Sequence, residues 1–169
     1  MVALLLTAAC TATRPAHQAS APSIPTDWQT LQDTTYGYSL RYPPGWTEKF
    51  AEPAGFHALA SRADMASLLE LQNSDYWLVA QASASDPSGA CGDGVAGPAE
   101  KSATTLGGQT ATRYLVTGTQ GGRSQHVMDI TAHRGDTCYT LQLVAGSAIP
   151  LDRALATLQE IQSTYRFGR

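Results

Sequence analysis

The side chains best equipped for chemistry in this chain are three cysteines (Cys10, Cys91, Cys138) and four histidines (His17, His57, His126, His133). Metal binding requires several such groups to converge on one point. His126 and His133 fall on one candidate strand at an odd separation, which turns them to opposite faces and prevents a joint grip. His17 lies in a Thr/Ala/Ser/Pro-rich stretch, and His57 stands apart from any spaced partner. Neither an HExxH nor a CxxC spacing occurs. Nucleophilic chemistry fares no better: SGACGDG surrounds Cys91 with glycines but lacks the strand–elbow–helix context of a nucleophile turn. A GxSxG and a phosphate-cradling GxxxxGK[ST] are both missing. The residues therefore name no catalytic group, no metal site and no cofactor.

Cys10 reads differently. It follows the apolar run Val2–Leu6 and the small residues Thr7, Ala8 and Ala9, and small residues let a chain lie extended in a signal peptidase. This arrangement resembles the lipobox of bacterial lipoproteins, in which the cysteine thiol takes a diacylglycerol and becomes the mature N-terminus. The residue three before the cysteine is Thr7 where that pattern usually has Leu. The apolar run is short and has no basic segment before it, and the natural start is expected to lie upstream of Met1. Residues 1–9 are thus read as a truncated lipoprotein-type signal peptide and 10–26 as a disordered tether. The tether's composition has almost nothing to bury against its conformational entropy. The expected address is the outer face of the cytoplasmic membrane, with a lipid on Cys10 as the attachment.

In an exported chain the remaining pair, Cys91 and Cys138, is best read as a disulfide. A nucleophilic cysteine is the sharper alternative, but it needs a neighbouring base that the residues do not name.

Composition narrows the rest. The chain has 169 residues, a formal net charge of −3 and no basic block, so it lacks the electrostatic footprint of a nucleic-acid binder. Charged residues are 15% of the total, against roughly 25% in an ordinary soluble domain. With 43% hydrophobic residues, residues 27–169 suffice for one globular domain.

Within that domain, strands are expected at Trp28–Gln32, Tyr38–Tyr42, His57–Ser61 and Tyr76–Ala82. Lys101–Leu106, Gln109–Thr117, Ser124–His133 and Thr137–Ala145 form a further series of four, joined by Gly-containing turns typical of antiparallel neighbours. Met128, Ile130 and Ala132 would face the core beside Tyr139, Leu141 and Leu143. Gln125, Asp129, Thr131, Thr140 and Gln142 would face water, giving a sheet with one core face. Asp64 would cap a helix running to Leu71, with Met65, Leu68 and Leu69 on one side. After Pro150, the stripe Leu151, Leu155, Leu158, Ile161 and Tyr165 predicts a second, amphipathic helix. The long Gly- and Pro-rich stretch at 85–100 reads as an irregular loop. The whole is an α+β domain: an antiparallel sheet with helices packed on it.

The stretch YGYSLRYPPGW, through Tyr36, Gly37, Tyr38, Tyr42, Pro43, Gly45 and Trp46, resembles the signature of the PsbP-like family. The terminal Tyr165-Arg166-Phe167, after its helix, resembles that family's closing strand. Mycobacterial LpqN-type lipoproteins share the same general fold. The resemblance implies an α/β/α-type sandwich and, in many members, a non-catalytic accessory or binding role. The function expected is a lipid-anchored extracytoplasmic binding or assembly accessory, whose partner is a protein or a small neutral ligand. The alternative is a small secreted hydrolase or transferase with a cleft near the 85–100 loop.

Overall fold

A computed structural model of the chain describes residues 24–52, 55–86, 91–92, 98–120 and 123–168. Cys10, the 1–9 segment and nearly all of the 10–26 tether lie outside the described residues, as do 87–90 and 93–97 in the long loop. The elements in chain order are β1 (Gln29–Asp33), β2 (Tyr38–Tyr42), β3 (Thr47–Glu52), β4 (Phe56–Ala60), β5 (Tyr76–Ala84) and β6 (Glu100–Leu106). They are followed by β7 (Gln109–Gln120), β8 (Arg123–Arg134), β9 (Thr137–Gly146), α1 (Leu151–Thr164) and β10 (Arg166–Phe167).

Two antiparallel sheets result. The larger runs β3-β4-β5-β9-β8-β7-β6, and the smaller runs β1-β2-β10. Glycine-tipped turns keep most sequence neighbours adjacent. The exception is β9, which inserts between β5 and β8 and pairs with both along their length. The small sheet and α1 pack on one face of the large sheet. There Leu59, Leu78, Met128, Ile130, Leu141 and Leu143 meet Leu40, Leu158, Ile161 and Tyr165 in a continuous core. In the PPG turn after β2, Gly45 has φ +84, the positive value that the third position of a type II turn requires.

Several expectations need correction. The second face of the large sheet is not solvated. Ala58, Ala60, Trp77, Tyr114, Val127 and Val144 form a second cluster there with Met65 and Leu71 from the 61–75 connection. Asp129 and Thr131, expected to face water, are buried within that face; they sit on a strand flanked on both sides, Asp129 opposite Tyr114 and Gln142 and Thr131 opposite Thr112 and Thr140. The expected helix from Asp64 to Leu71 is a single 3₁₀ turn, Leu68–Glu70. Met65 is fully buried while Leu69 is 81% exposed, so the three apolar residues share no face. Side chains shape this segment in place of a helical ladder. Arg62 Nε donates to Asp75 at 3.1 Å, its Nη1 pairs with Asp64, and its Nη2 reaches the Glu70 carbonyl at 3.0 Å. Among the described residues α1 is therefore the one α-helix, and the fold is two antiparallel sheets with a helix on one side.

β3 went unpredicted. Its sequence, TEKFAE, has no apolar alternation because it is an edge strand exposed along nearly its whole length, with a register shift between Glu48 and Phe50. Charges and an irregularity on an edge discourage pairing with other chains.

Cys91 and Cys138 are joined in a disulfide that closes 47 residues. Cys138 is buried near the start of β9, opposite Ser83 of β5, so the bond fastens Cys91 to the end of a strand inside the large sheet. The chain-entropy model assigns a closed loop of this size about 4 kcal/mol. The double substitution Cys91→Ala/Cys138→Ala should lower the unfolding free energy by roughly 2–4 kcal/mol, measured as a shifted urea midpoint; an unshifted midpoint would leave the bond without a structural role.

Candidate functional site

His57 is not isolated, as its sequence position suggested. It lies on β4 at the seam between the two sheets, 9% exposed. Its Nε2 is 3.0 Å from Asp33 Oδ2 of β1, and its Nδ1 is 2.7 Å from Glu48 Oε1 of β3. Carboxylates only accept hydrogen bonds, so both contacts are satisfied only when both ring nitrogens carry a proton. Asp33 is held from its other oxygen, which accepts the Tyr36 backbone N–H at 2.6 Å. The three groups come from positions 33, 48 and 57, on three strands of two sheets. No sequence spacing marks them; the alternation that buries His57 beside Leu59 was the only available signal.

The arrangement does not suit a metal. The two carboxylates occupy opposite ends of one imidazole, so no single ion could contact both and the ring as well. It does not suit a general base either, because that role needs a ring nitrogen directed at a substrate. A hollow of about 220 Å³ opens beside Asp33, Gly37, Tyr38 and Gly168, but His57 does not line it.

Tyr38 crosses the same seam. Its ring stacks on Tyr165 (centroids 5.5 Å apart, planes at 6°) and meets the edges of His57 and Tyr139, each at 6.1 Å. Its hydroxyl is 3.2 Å from the carbonyls of both Gly55 and Ala80, on the large sheet. Burial, then the charges of Asp33 and Glu48, push this phenol far above its ordinary value of 10.0. Burial does the same for Tyr165, aided by Tyr38 and Tyr139. Tyr42 is raised too, by burial first and Glu48 second.

A second region lies at the C-terminal end of α1. One groove of about 460 Å³ is lined by Ile24, Arg41, Ser163 and Arg166 among others. The adjoining groove, about 430 Å³, is lined by Arg113, Arg166, Gln159, Gln162, Ser163 and Thr104 among others. Neither is lined by an acidic residue. The arginines are fixed in place. Arg166 Nη1 donates to the Ser163 and Tyr165 carbonyls at 2.7 Å, countering the negative end of the helix. Arg113 Nε donates to Ser102 Oγ at 3.1 Å. Arg41 Nη2 holds the carbonyls of Pro25, Thr26 and Trp28.

Of the residues singled out in the sequence, Cys91 and Cys138 meet in the disulfide, while Cys10 lies outside the described residues. Tyr38, Tyr42 and Trp46 are buried in the main core with Trp28, and the half-buried Tyr36 packs against it. Gly37 makes the β1–β2 turn at φ +64, and its carbonyl accepts the N–H of Gly168 at 2.6 Å. Pro43 and Gly45 belong to the turn that lays Trp46 on Tyr76, their rings stacked at 5.5 Å. His126 and His133 stay separate; His126 lies 3.4 Å from Thr117 Oγ1.

No protein-family model matches the chain, and no curated protein matches it. Solved structures do. Cyanobacterial PsbP from Synechocystis sp. PCC 6803 is similar with a TM-score of 0.57 at 15% identity, over 89% of this chain and 98% of that one. The chain has the PsbP-like fold. LpqN, described as involved in cell envelope biogenesis of Mycobacterium tuberculosis, is similar with a TM-score of 0.51 at 17% identity, over 84% of this chain and 91% of that one. A protein from Bacteroides thetaiotaomicron VPI-5482 gives a TM-score of 0.54 at 10% identity over 85% of this chain, which spans only 50% of that protein. In this PsbP-like domain two motif residues touch the Asp33–His57–Glu48 cluster: the Tyr38 ring meets His57 and the Tyr36 N–H donates to Asp33.

Two outcomes follow from the seam. Asp33→Ala leaves the buried His57 Nε2 and the Tyr36 N–H without their acceptor and should cost about 1–3 kcal/mol for each donor left unpaired. Glu48→Gln should cost under about 1 kcal/mol, since the Glu48 side chain is 41% exposed. Chemical denaturation of both variants tests the ranking; equal losses would contradict it. The tyrosines set a pH limit as well. Folded Tyr38 and Tyr165 keep protons that the unfolded chain releases near pH 10, so above that pH the unfolded state binds fewer protons and stability falls as pH rises. In an alkaline titration followed by phenolate absorbance, these two of the seven tyrosines should ionise only with unfolding. Ionisation of all seven before the fold opens would contradict that.

Proposed function

We propose that this chain is a lipid-anchored, extracytoplasmic binding or assembly accessory protein with no catalytic activity of its own. The Cys91–Cys138 disulfide carries the reading, because such bonds persist in oxidising compartments and are rare in the cytosol. The similarity in fold to LpqN, with its described part in cell envelope biogenesis, points the same way. So does the state of the titratable cluster, where both nitrogens of a buried His57 are occupied by carboxylates. Among the described residues no helix is long and apolar enough to cross a membrane; the attachment in this reading is a lipid on Cys10. A protein is the partner that best suits the surface. Among the described residues the large apolar side chains left exposed are Leu69, at 81%, and Phe50, at 43%, and these are the points at which such a contact would be sought.

The chain produced from its own gene should partition into the detergent phase on phase separation, and Cys10→Ala should move it to the aqueous phase. Thiol counting on the native protein should find Cys91 and Cys138 blocked until reductant is added. A wild-type chain found in the aqueous phase, or free thiols at 91 and 138, would overturn the reading.

A further inference from the structure

We propose that the α1 C-terminal end of the domain is a docking face for an anionic phospholipid surface, with Arg113 and Arg166 as its principal contacts. The inference rests on the lipid-anchor reading above and adds an orientation to it. Three observations carry it.

The first is where the chain enters the domain. Ile24, the first described residue, lines the same groove as Arg41 and Arg166. Arg41 fixes that entry by holding the carbonyls of Pro25, Thr26 and Trp28 at 3.0–3.2 Å. A coil running from Cys10 to this point has a mean span of roughly 20 Å. An anchor at Cys10 therefore holds this end of the domain nearest the bilayer.

The second is charge. The chain as a whole is net negative, at −3, yet the two adjoining grooves are lined by Arg41, Arg113 and Arg166 with no acidic residue. A bilayer bearing negative headgroups would attract this end and repel the rest, orienting the domain.

The third is the chemistry of the lining. Arginine offers a planar fork of donors that matches phosphate oxygens. Arg113 has its Nε on Ser102 and Arg166 has its Nη1 on helix carbonyls, so each is positioned by one part of the guanidinium while the remainder lines the groove. Beside them Gln159 adds an amide group, while the Gln162 amide nitrogen is bonded to Thr104 Oγ1 and the Thr105 carbonyl and braces the groove wall.

The test uses the full chain carrying Cys10→Ala, so that no acyl group contributes. Co-sedimentation is measured with vesicles of phosphatidylglycerol in phosphatidylcholine, and with phosphatidylcholine alone. Binding should require phosphatidylglycerol and weaken with salt. Arg113→Gln/Arg166→Gln should bind about 30-fold more weakly, while Arg113→Lys/Arg166→Lys, which keeps the charge, should lose far less. If the double Gln variant does not fold, Arg113→Gln alone should show about a fivefold loss. Absence of binding to the anionic vesicles at low salt, or equal binding by the Gln variants, would overturn the proposal. So would displacement by inorganic phosphate beyond that caused by chloride at the same ionic strength, which would make the grooves a soluble-anion site. An anchor failure is read separately, as wild-type protein found in the aqueous detergent-partition phase.

Discussion

The fold depends on one aromatic side chain placed between two sheets. Tyr38 belongs to the small sheet by backbone, yet its hydroxyl reaches carbonyls on the large one, and its ring lies against Tyr165 from the end of α1. Each of these contacts is modest alone. Together they bring three separately formed pieces to one point: the β1–β2 hairpin, the β4–β5 pair and the chain's C-terminal turn. The neighbouring Asp33–His57–Glu48 cluster adds a polar bond across the same joint. A seam made of stacked rings would tolerate some sliding; one pinned by hydrogen bonds with fixed directions has one register.

The lining of this joint gives the buried histidine of this PsbP-like fold a structural part, because both of its ring nitrogens meet carboxylates across the seam. Removing Asp33 or His57 would leave its partner buried and underpaired, whereas Glu48 is partly open to water, so the Asp33–His57 pair behaves as the lock. The chemically more accessible groups sit elsewhere, at the end of α1, where the arginines are oriented by backbone carbonyls and a serine and still line open grooves. The molecule thus separates its charges into a sealed set that holds the fold and an open set available to a partner surface.

How much of this could be read from the residues depended on whether the governing interaction was local. Strands β5, β7, β8 and β9 were legible because their alternation records which face is buried. The helix was legible because its stripe recurs every three or four residues. The disulfide followed from having two cysteines left over in a chain with an export-like beginning. What escaped was set by distant partners. β3 has the composition of a loop and becomes a strand only because β4 offers it an edge. Asp129 and Thr131 sit in polar positions of an alternating strand, and only coverage from elsewhere buries them. The 61–75 connection has helix-like apolar spacing, but Arg62 spans it with side-chain bonds that no periodicity encodes. The His57 cluster draws on three strands at once.

β10 also has a consequence for timing. Residues 166 and 167 pair with Ser39 and Tyr38, so one side of β2 is completed by a strand translated more than a hundred residues later. Until that part is made, Tyr38 has neither the ring of Tyr165 to stack on nor the backbone of Phe167 to bond. The β1–β2 hairpin can pair on its own, but the third strand of that sheet joins it only when synthesis is nearly over. The last residues of the domain are thus needed to finish the sheet that its first residues begin.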